Sequence, residues 1–120
     1  MRLNADTGSN YSRVFMATGA TPQSGSQSGV SSIQIDSAAF SGTIVGEQVA
    51  IIQIMDYSAT DKHKTVLIRS NRNGANTGAD GIAGRYASTS AITSINLFSI
   101  TGGGISWAAG SRFDLYGIAS

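Results

Sequence analysis

Hydrophobic and polar residues alternate along much of this chain with the period of two that is typical of a half-buried β-strand. In one clear example, Ile33 and Ile35 alternate with serine, glutamine and aspartate. Serine, glycine and β-branched residues dominate, and no long segment has an apolar stripe with the period of an α-helix. We therefore expect an all-β protein. The predicted strands are residues 13–17, 30–40, 48–57, 65–69, 91–101 and 111–120.

The predicted strand over residues 48–57 differs from the others because its apolar residues fall on both faces. A strand with two apolar faces is central to a fold or packs against another molecule. We predict that it packs between subunits, because a closed oligomer also protects the edges of a small sheet. The predicted interface residues are Val49, Ile51, Ile52, Ile54 and Met55.

Polar, glycine-rich segments separate the predicted strands. Residues 19–29 are rich in glycine, serine and glutamine and are predicted to be a flexible linker. Residues 71–84 are rich in asparagine, aspartate and glycine and are predicted to be a long exposed loop. Several short strands with glycine-rich turns favour a β-sandwich of jelly-roll-like type. We divide the chain into an extended N-terminal arm with its linker, residues 1–29, and a β-sandwich domain, residues 30–120.

Charged residues make up only 12% of the chain, well below the roughly 25% of an ordinary soluble domain. A weakly charged surface opposes association less than a charged one, which suits a protein assembled against copies of itself or a larger body. The net charge is +1, and the sequence has no basic stripe that would indicate a nucleic-acid or membrane partner. The chain has no cysteine, so we expect its stability to come from packing and oligomerisation.

Residues that could support catalysis or metal binding are few and scattered. His63 is the only histidine, and it lies in a polar turn with no motif that would supply a nucleophile. Asp56 and Asp61 place oxygen atoms in the same connection, but their spacing matches no standard calcium loop, and aspartate also initiates turns. We therefore expect no enzymatic activity, no cofactor and no metal.

Three residues in or near the glycine-rich segments are candidates for contact with a ligand: Arg72, Tyr86 and Trp107. Aromatic rings with a polar group stack on sugars and anchor interfaces. For Trp107 the alternative is that it covers the open end of the β-core, since tryptophan is usually largely buried.

A series of short motifs resembles a module that recurs in phage structural proteins, including tail-fibre and virion surface proteins. The resemblance covers about residues 30–120, and the last motif is its most specific part. The motifs are Asp56-Tyr57-Ser58, the segment from Thr60 to Leu67, Ala83-Gly84-Arg85-Tyr86, the segment from Ala91 to Ile95, and Ala109-Gly110-Ser111-Arg112-Phe113-Asp114-Leu115-Tyr116-Gly117-Ile118.

The resemblance implies a β-sandwich, commonly trimeric, that is exposed on a virion and has no catalytic residues. With 120 residues, the chain is closer in size to a capsid decoration, or cement, protein than to a tail fibre with a shaft. Such a protein binds between subunits of the major capsid protein and stabilises the head. In this hypothesis the N-terminal arm docks on the shell. The residues predicted to dock are Arg2, Leu3, Tyr11, Arg13 and Phe15.

The alternative hypothesis is a tail-fibre or receptor-binding module that recognises host surface glycans through its aromatic-bearing loops. In both cases we expect a virion protein, with the capsid surface favoured over the tail. The first residues lack the basic-then-apolar order of a signal peptide. We therefore expect synthesis in the host cytoplasm and assembly there.

Overall fold

The computed structural model describes residues 1–18, 21–35, 48–72, 78–98 and 107–118. These residues contain strands, turns and irregular segments but no helix, which confirms the prediction of an all-β protein. The strands are β1 (Arg2–Leu3), β2 (Tyr11–Ala17), β3 (Gln23–Val30), β4 (Gln48–Met55), β5 (Lys64–Arg72), β6 (Gly78–Tyr86) and β7 (Ile95–Asn96).

The five longer strands form one antiparallel sheet with the order β3-β2-β6-β5-β4. The hairpin of β2 and β3 therefore joins the run of β4, β5 and β6 through the pairing of β2 with β6. The two shortest strands, β1 and β7, form a second sheet, in which Leu3 lies opposite Ile95. The β-sandwich, the jelly-roll connectivity and the trimer remain predictions.

The hydrophobic core lies on one face of the five-stranded sheet, which we call the inner face. Along β6, Ile82 and Tyr86 are buried, whereas Ala83 and Arg85 are exposed, as the alternation of a strand requires. Residues from β1 and from the segment after β3 cover this face. The buried core residues are Met1, Leu3, Tyr11, Ile33, Val66, Ile68, Ile82 and Tyr86.

A stacked pair of tyrosines lies in this core. Tyr11 and Tyr86 are opposite each other on β2 and β6, with ring centroids 4.8 Å apart and an interplanar angle of 18°. The Tyr11 hydroxyl donates to the Leu3 carbonyl and accepts from the Leu3 N–H, both at 3.0 Å. Since a buried hydroxyl needs such partners, the stack fixes β1 against the five-stranded sheet.

The expectation of an extended N-terminal arm is wrong for the described part of residues 1–29. β2 and β3 are strands of the main sheet, and Met1 and Leu3 are buried. The Met1 carbonyl accepts a hydrogen bond of 3.0 Å from the Ile33 N–H. The physical reason is that so small a core needs these apolar side chains, which the surrounding polar residues concealed in the sequence.

Two segments predicted to be a loop and a linker contain strands instead. β6 (Gly78–Tyr86) lies mostly within the predicted loop, and β3 (Gln23–Val30) within the predicted linker and one residue beyond it. β3 pairs with β2, β6 pairs with β2 over Asp80–Tyr86, and β6 pairs with β5 along its whole length. Pairing with these neighbours overrides the low intrinsic strand preference of glycine. The other residues of the two segments include 19–20 and 73–77, which lie outside the described residues.

Two glycines in these strands allow side chains to approach the sheet closely. At Gly84, a Cβ atom would lie 2.8 Å from the Ile33 Cδ1 atom, so a larger residue would push Ile33 out of the core. At Gly25, a Cβ atom would lie 2.9 Å from the Phe15 ring. The glycine content that suggested loops therefore also serves packing.

The other predicted strands have mixed outcomes. β2, β4 and β5 confirm the strands predicted at 13–17, 48–57 and 65–69. Only β7 forms in the described part of 91–101. Residues 31–35, the described remainder of the strand predicted at 30–40, do not form a strand, although Ile33 is buried as the alternation predicted. Residues 36–40 and 99–101 of these predictions lie outside the described residues.

The C-terminal segment differs most from its prediction. Its described part, residues 111–118, is not a strand and is exposed. Phe113 and Leu115 are 55% and 84% exposed. No described strand of either sheet pairs with this segment, so neither side chain reaches the core.

Lys64 is a fully buried cation at the beginning of β5. Its Nζ donates hydrogen bonds to the carbonyl oxygens of Ala59 at 2.6 Å, Lys62 at 2.9 Å and Thr89 at 3.3 Å. These bonds use the three donors of the ammonium group. Lys64 therefore joins the connection before β5 to the segment after β6.

We expect Lys64→Met to lower the free energy of unfolding by about 2–4 kcal/mol, because the carbonyl groups lose a charged donor. Lys62→Met is the matched control, since the Lys62 side chain is 53% exposed and only forms a 3.9 Å ion pair with Asp56. It should cost less than about 1 kcal/mol. Urea denaturation measures both, and equal effects would contradict this account of Lys64.

The tyrosine stack predicts a loss of stability at alkaline pH. Burial disfavours the phenolate and raises the pKa of both Tyr11 and Tyr86 above the ordinary value of 10.0. Below about pH 10 the contribution of the two neutral tyrosines to the free energy of unfolding is fully present. It is lost as the pH rises through the raised pKa values, because the tyrosines of the unfolded chain ionise first.

Denaturation between about pH 8 and pH 11.5 should therefore show falling stability above about pH 10. Tyrosinate absorbance should also rise later in the folded protein than in the denatured chain. Identical titration of the folded and denatured chains would contradict the burial of the pair.

Candidate association surface

The face of the five-stranded sheet opposite the core, which we call the outer face, is apolar and exposed. Its large apolar side chains keep between 44% and 72% of their surface exposed. Several exposed large apolar side chains on one face of a sheet mark a site of interaction. The residues are Val14 and Met16 on β2 and Val49, Ile51 and Met55 on β4.

The register of the strands places the outer-face residues in rows across the sheet. In one row, Met16 is opposite Gly81, Gly81 is opposite Arg69, and Arg69 is opposite Ile51. No atom lies within 4 Å of the position of a Cβ at Gly81. Gly81 on β6 thus leaves an open surface beside Met16, and the exposed Arg69 side chain on β5 lies between Gly81 and Ile51.

The outer face carries positive charge. Arg69 and Arg85 are exposed there, and Nη2 of Arg85 lies 2.8 Å from Nδ1 of His63. None of the described outer-face residues on the five strands is acidic. A partner that combines apolar side chains with negative charge is therefore complementary, whereas two outer faces packed together would bring arginines close to each other.

The predicted interface residues divide between the two faces of β4. Val49, Ile51 and Met55 are exposed on the outer face. Ile52 and Ile54 are partly buried and pack against the core. The contact between subunits remains a prediction, and the outer-face residues are the ones accessible to it.

Three of the residues predicted to dock on a capsid are inaccessible, and this prediction is corrected. Leu3, Tyr11 and Arg13 are at most 2% exposed. The Arg13 guanidinium is held inside by the side chains of two glutamines. Arg2 and Phe15 are half-buried. The Arg2 guanidinium lies over an aromatic ring, and the Phe15 ring lies under the Arg13 guanidinium. These side chains stabilise the fold, so the set does not form a docking arm.

The candidate ligand-facing residues are not brought together. Tyr86 is 3% exposed in the core, so its predicted contact with a ligand is corrected. Arg72 ends β5, and its side chain lies outside the described residues. Trp107 is 51% exposed and contacts Phe113 edge to face, with ring centroids 4.9 Å apart. It lies outside the core cluster and does not cover it.

Two acidic residues outside the core, Asp6 and Asp56, take part in local hydrogen bonds. The pKa of Asp6 is lowered, first by a hydrogen bond from the Asn10 side chain and then by one from the Gly8 N–H. The Asp56 carbonyl accepts a 3.0 Å hydrogen bond from the Ala59 N–H. Within the described ranges, no cluster of three or more His, Cys, Asp or Glu side chains could hold a metal ion.

No model of a protein family, no curated protein and no solved structure matches this chain. The part of the chain that the structure describes contains no helix long and apolar enough to cross a membrane. Any proposal about function therefore rests on the residues and geometry of this chain.

The sequence analysis missed the contribution of β2 to the outer face. Val14 and Met16 alternate with Arg13 and Phe15, so both faces of this strand carry large side chains. Period-two alternation identified the strand but could not tell which face is buried. The surface became visible only when β2 was placed in the same sheet as β4.

Ile51 and Ile52 are a matched pair that tests the division of β4 into two faces. Ile52→Asp places a carboxylate against the core and should lower the free energy of unfolding by at least about 3 kcal/mol. Ile51→Asp adds the same charge to the outer face and should cost less than about 1 kcal/mol. Thermal denaturation of the dilute protein measures both. A larger loss for Ile51→Asp would reverse the assignment of the faces.

Proposed function

We propose that this chain is a non-enzymatic structural protein of a bacteriophage particle, and that it decorates the capsid between subunits of the major capsid protein. The outer face is the observation that carries the proposal, because it offers a broad apolar and basic surface suited to another protein. The resemblance of residues 30–120 to a phage structural module supports the location on a virion.

In this proposal the outer face docks on the shell. Complete burial of one large aliphatic side chain contributes about 1.5–3 kcal/mol, and the surface offers Val14, Met16, Val49, Ile51 and Met55. Association also has a large entropic cost. A single copy would therefore bind weakly, and an oligomer that presents several outer faces would bind tightly through avidity.

We also propose a homotrimer of β-sandwiches with jelly-roll-like connectivity. The position of β1 and the tyrosine stack supports a second layer over the inner face, since Leu3 and Ile33 are fully buried there. A closed oligomer would cover the exposed edge strands of the five-stranded sheet.

A second candidate function is recognition of host glycans by a tail-fibre module. The observation that favours it is the exposed pair of Trp107 and Phe113. Aromatic faces of this kind stack on sugar rings. The weakness of this candidate is that Tyr86, which was expected beside Trp107 in a ligand-binding surface, is in the core.

Immunogold electron microscopy of the intact phage, with an antibody against the purified chain, tests the proposal. We expect label in many copies over the head. Label confined to the tail would contradict decoration and favour glycan recognition. A particle without label would contradict both, and a phage that lacks the gene provides the control for the antibody.

A further inference from the structure

We propose that the C-terminal segment Ser111–Ile118 of one copy adds as a strand to the edge of β4 in a neighbouring copy, on the side where no described strand pairs with β4. This inference deepens the proposed function, on which it rests, because it specifies how copies of the chain assemble. It starts from two features of the same chain that are each incomplete in a single copy.

The first feature is the edge of β4. Among the described strands, β4 pairs on one side with β5, and none lies on its other side. Its sequence, Gln48-Val49-Ala50-Ile51-Ile52-Gln53-Ile54-Met55, has no charge and no proline. Exposed edges with this composition accept further strands, because natural edges are usually protected by lysine, proline or bulges. The Nε2 atom of Gln48 is also buried without a hydrogen-bond partner within the described part.

The second feature is the C-terminal segment itself. Leu115, Tyr116 and Ile118 are 84%, 80% and 84% exposed. Within its described part the segment makes local hydrogen bonds, from the Ser111 N–H to the Ala108 carbonyl and from Arg112 Nε to Asp114 Oδ1, both at 3.0 Å. Several exposed apolar side chains close together in a folded chain mark a site of interaction.

The two features complement each other. The edge of β4 has no partner among the described strands, and the described part of the C-terminal segment is exposed and pairs with none of them. Strand addition satisfies main-chain donors and acceptors on both sides, and alternate side chains enter the two faces of the sheet. One contact would thus cover both the edge and the segment.

The side-chain pattern of the segment selects one orientation. Arg112, Asp114, Tyr116 and Ile118 fall on one side of an extended strand, and Phe113 and Leu115 fall on the other. The inner face beside β4 is apolar, with Ile52 and Ile54 packed against the core. Phe113 and Leu115 would therefore continue the inner face. The other side would continue the outer face, with Arg112 and Asp114 in solvent and with Tyr116 and Ile118 beside the exposed apolar side chains of β4.

A second copy is a better source of this strand than alternative contacts between copies. Packing two outer faces together would oppose Arg69 and Arg85 of each copy and would leave the C-terminal segment uncovered. Pairing of two β4 edges would also leave the segment uncovered. A segment that docks on the next copy forms a head-to-tail contact, and such contacts generate a ring like the proposed trimer when the rotation between copies closes.

Leu115→Asp and Tyr116→Asp form the test pair, because both side chains are at least 80% exposed in the single copy and neither change should affect its folding. Sedimentation velocity over a concentration series measures association of the full chain. We expect the wild-type chain to form a closed oligomer and Leu115→Asp to weaken association at least about tenfold. Tyr116→Asp should weaken association much less.

Equal effects of the two substitutions would overturn the proposal, as would a wild-type chain that stays monomeric at every concentration. A Leu115→Asp chain with lower thermal stability and unchanged mass would also overturn it, because that result places the segment on its own β4.

A synthetic peptide of residues 107–120 gives a second measurement on the unaltered chain. In excess it should compete for the β4 edge and dissociate the wild-type oligomer, whereas the peptide with Leu115→Asp should not. Failure of the wild-type peptide to dissociate the oligomer would count against the proposal. These experiments contain no phage particle, so absence of the chain from virions would remove the proposed function and leave the strand exchange intact.

Discussion

The burial of a single face of the five-stranded sheet is the constraint on which the rest of the structure depends. A short chain has few large apolar residues, and here most of those in the core gather around the stack of Tyr11 on Tyr86. Leu3 is bonded to that stack, and Gly84 leaves room for Ile33. With these residues committed to the inner face, little of the described chain remains to cover the outer one.

One-sided burial links the fold to the proposed function. The same alternation that buries Ile52 and Ile54 exposes Val49 and Ile51 on the opposite face. Apolar surface of this kind opposes solubility in a lone subunit but contributes binding free energy in an assembly. In the proposed assembly the outer face and the β4 edge contact neighbouring molecules, and the core holds both in place.

The sequence predicted the fold class and the strands with strong apolar runs, such as β4 and β5. The sequence did not predict β3 and β6, because their glycine and serine residues are typical of loops. These segments become strands through their pairing with β2. Burial of Lys64 and Arg13 could not be predicted, since their partners are carbonyl and amide groups set by tertiary structure. The β4 residues were correctly identified as apolar on both sides, but only the sheet shows which side is accessible.

Hydrogen–deuterium exchange of the full chain, measured at several concentrations, distinguishes a sheet that neighbouring copies complete from one that is complete in a single copy. Amides in β2, β5 and β6 should be protected at every concentration, because they lie within the sheet. Amides of β4 and of Ser111–Ile118 should become protected together as copies associate. Full protection of both segments in the dilute monomer, or rapid exchange of both in a concentrated sample, would contradict a sheet that is completed by its neighbours.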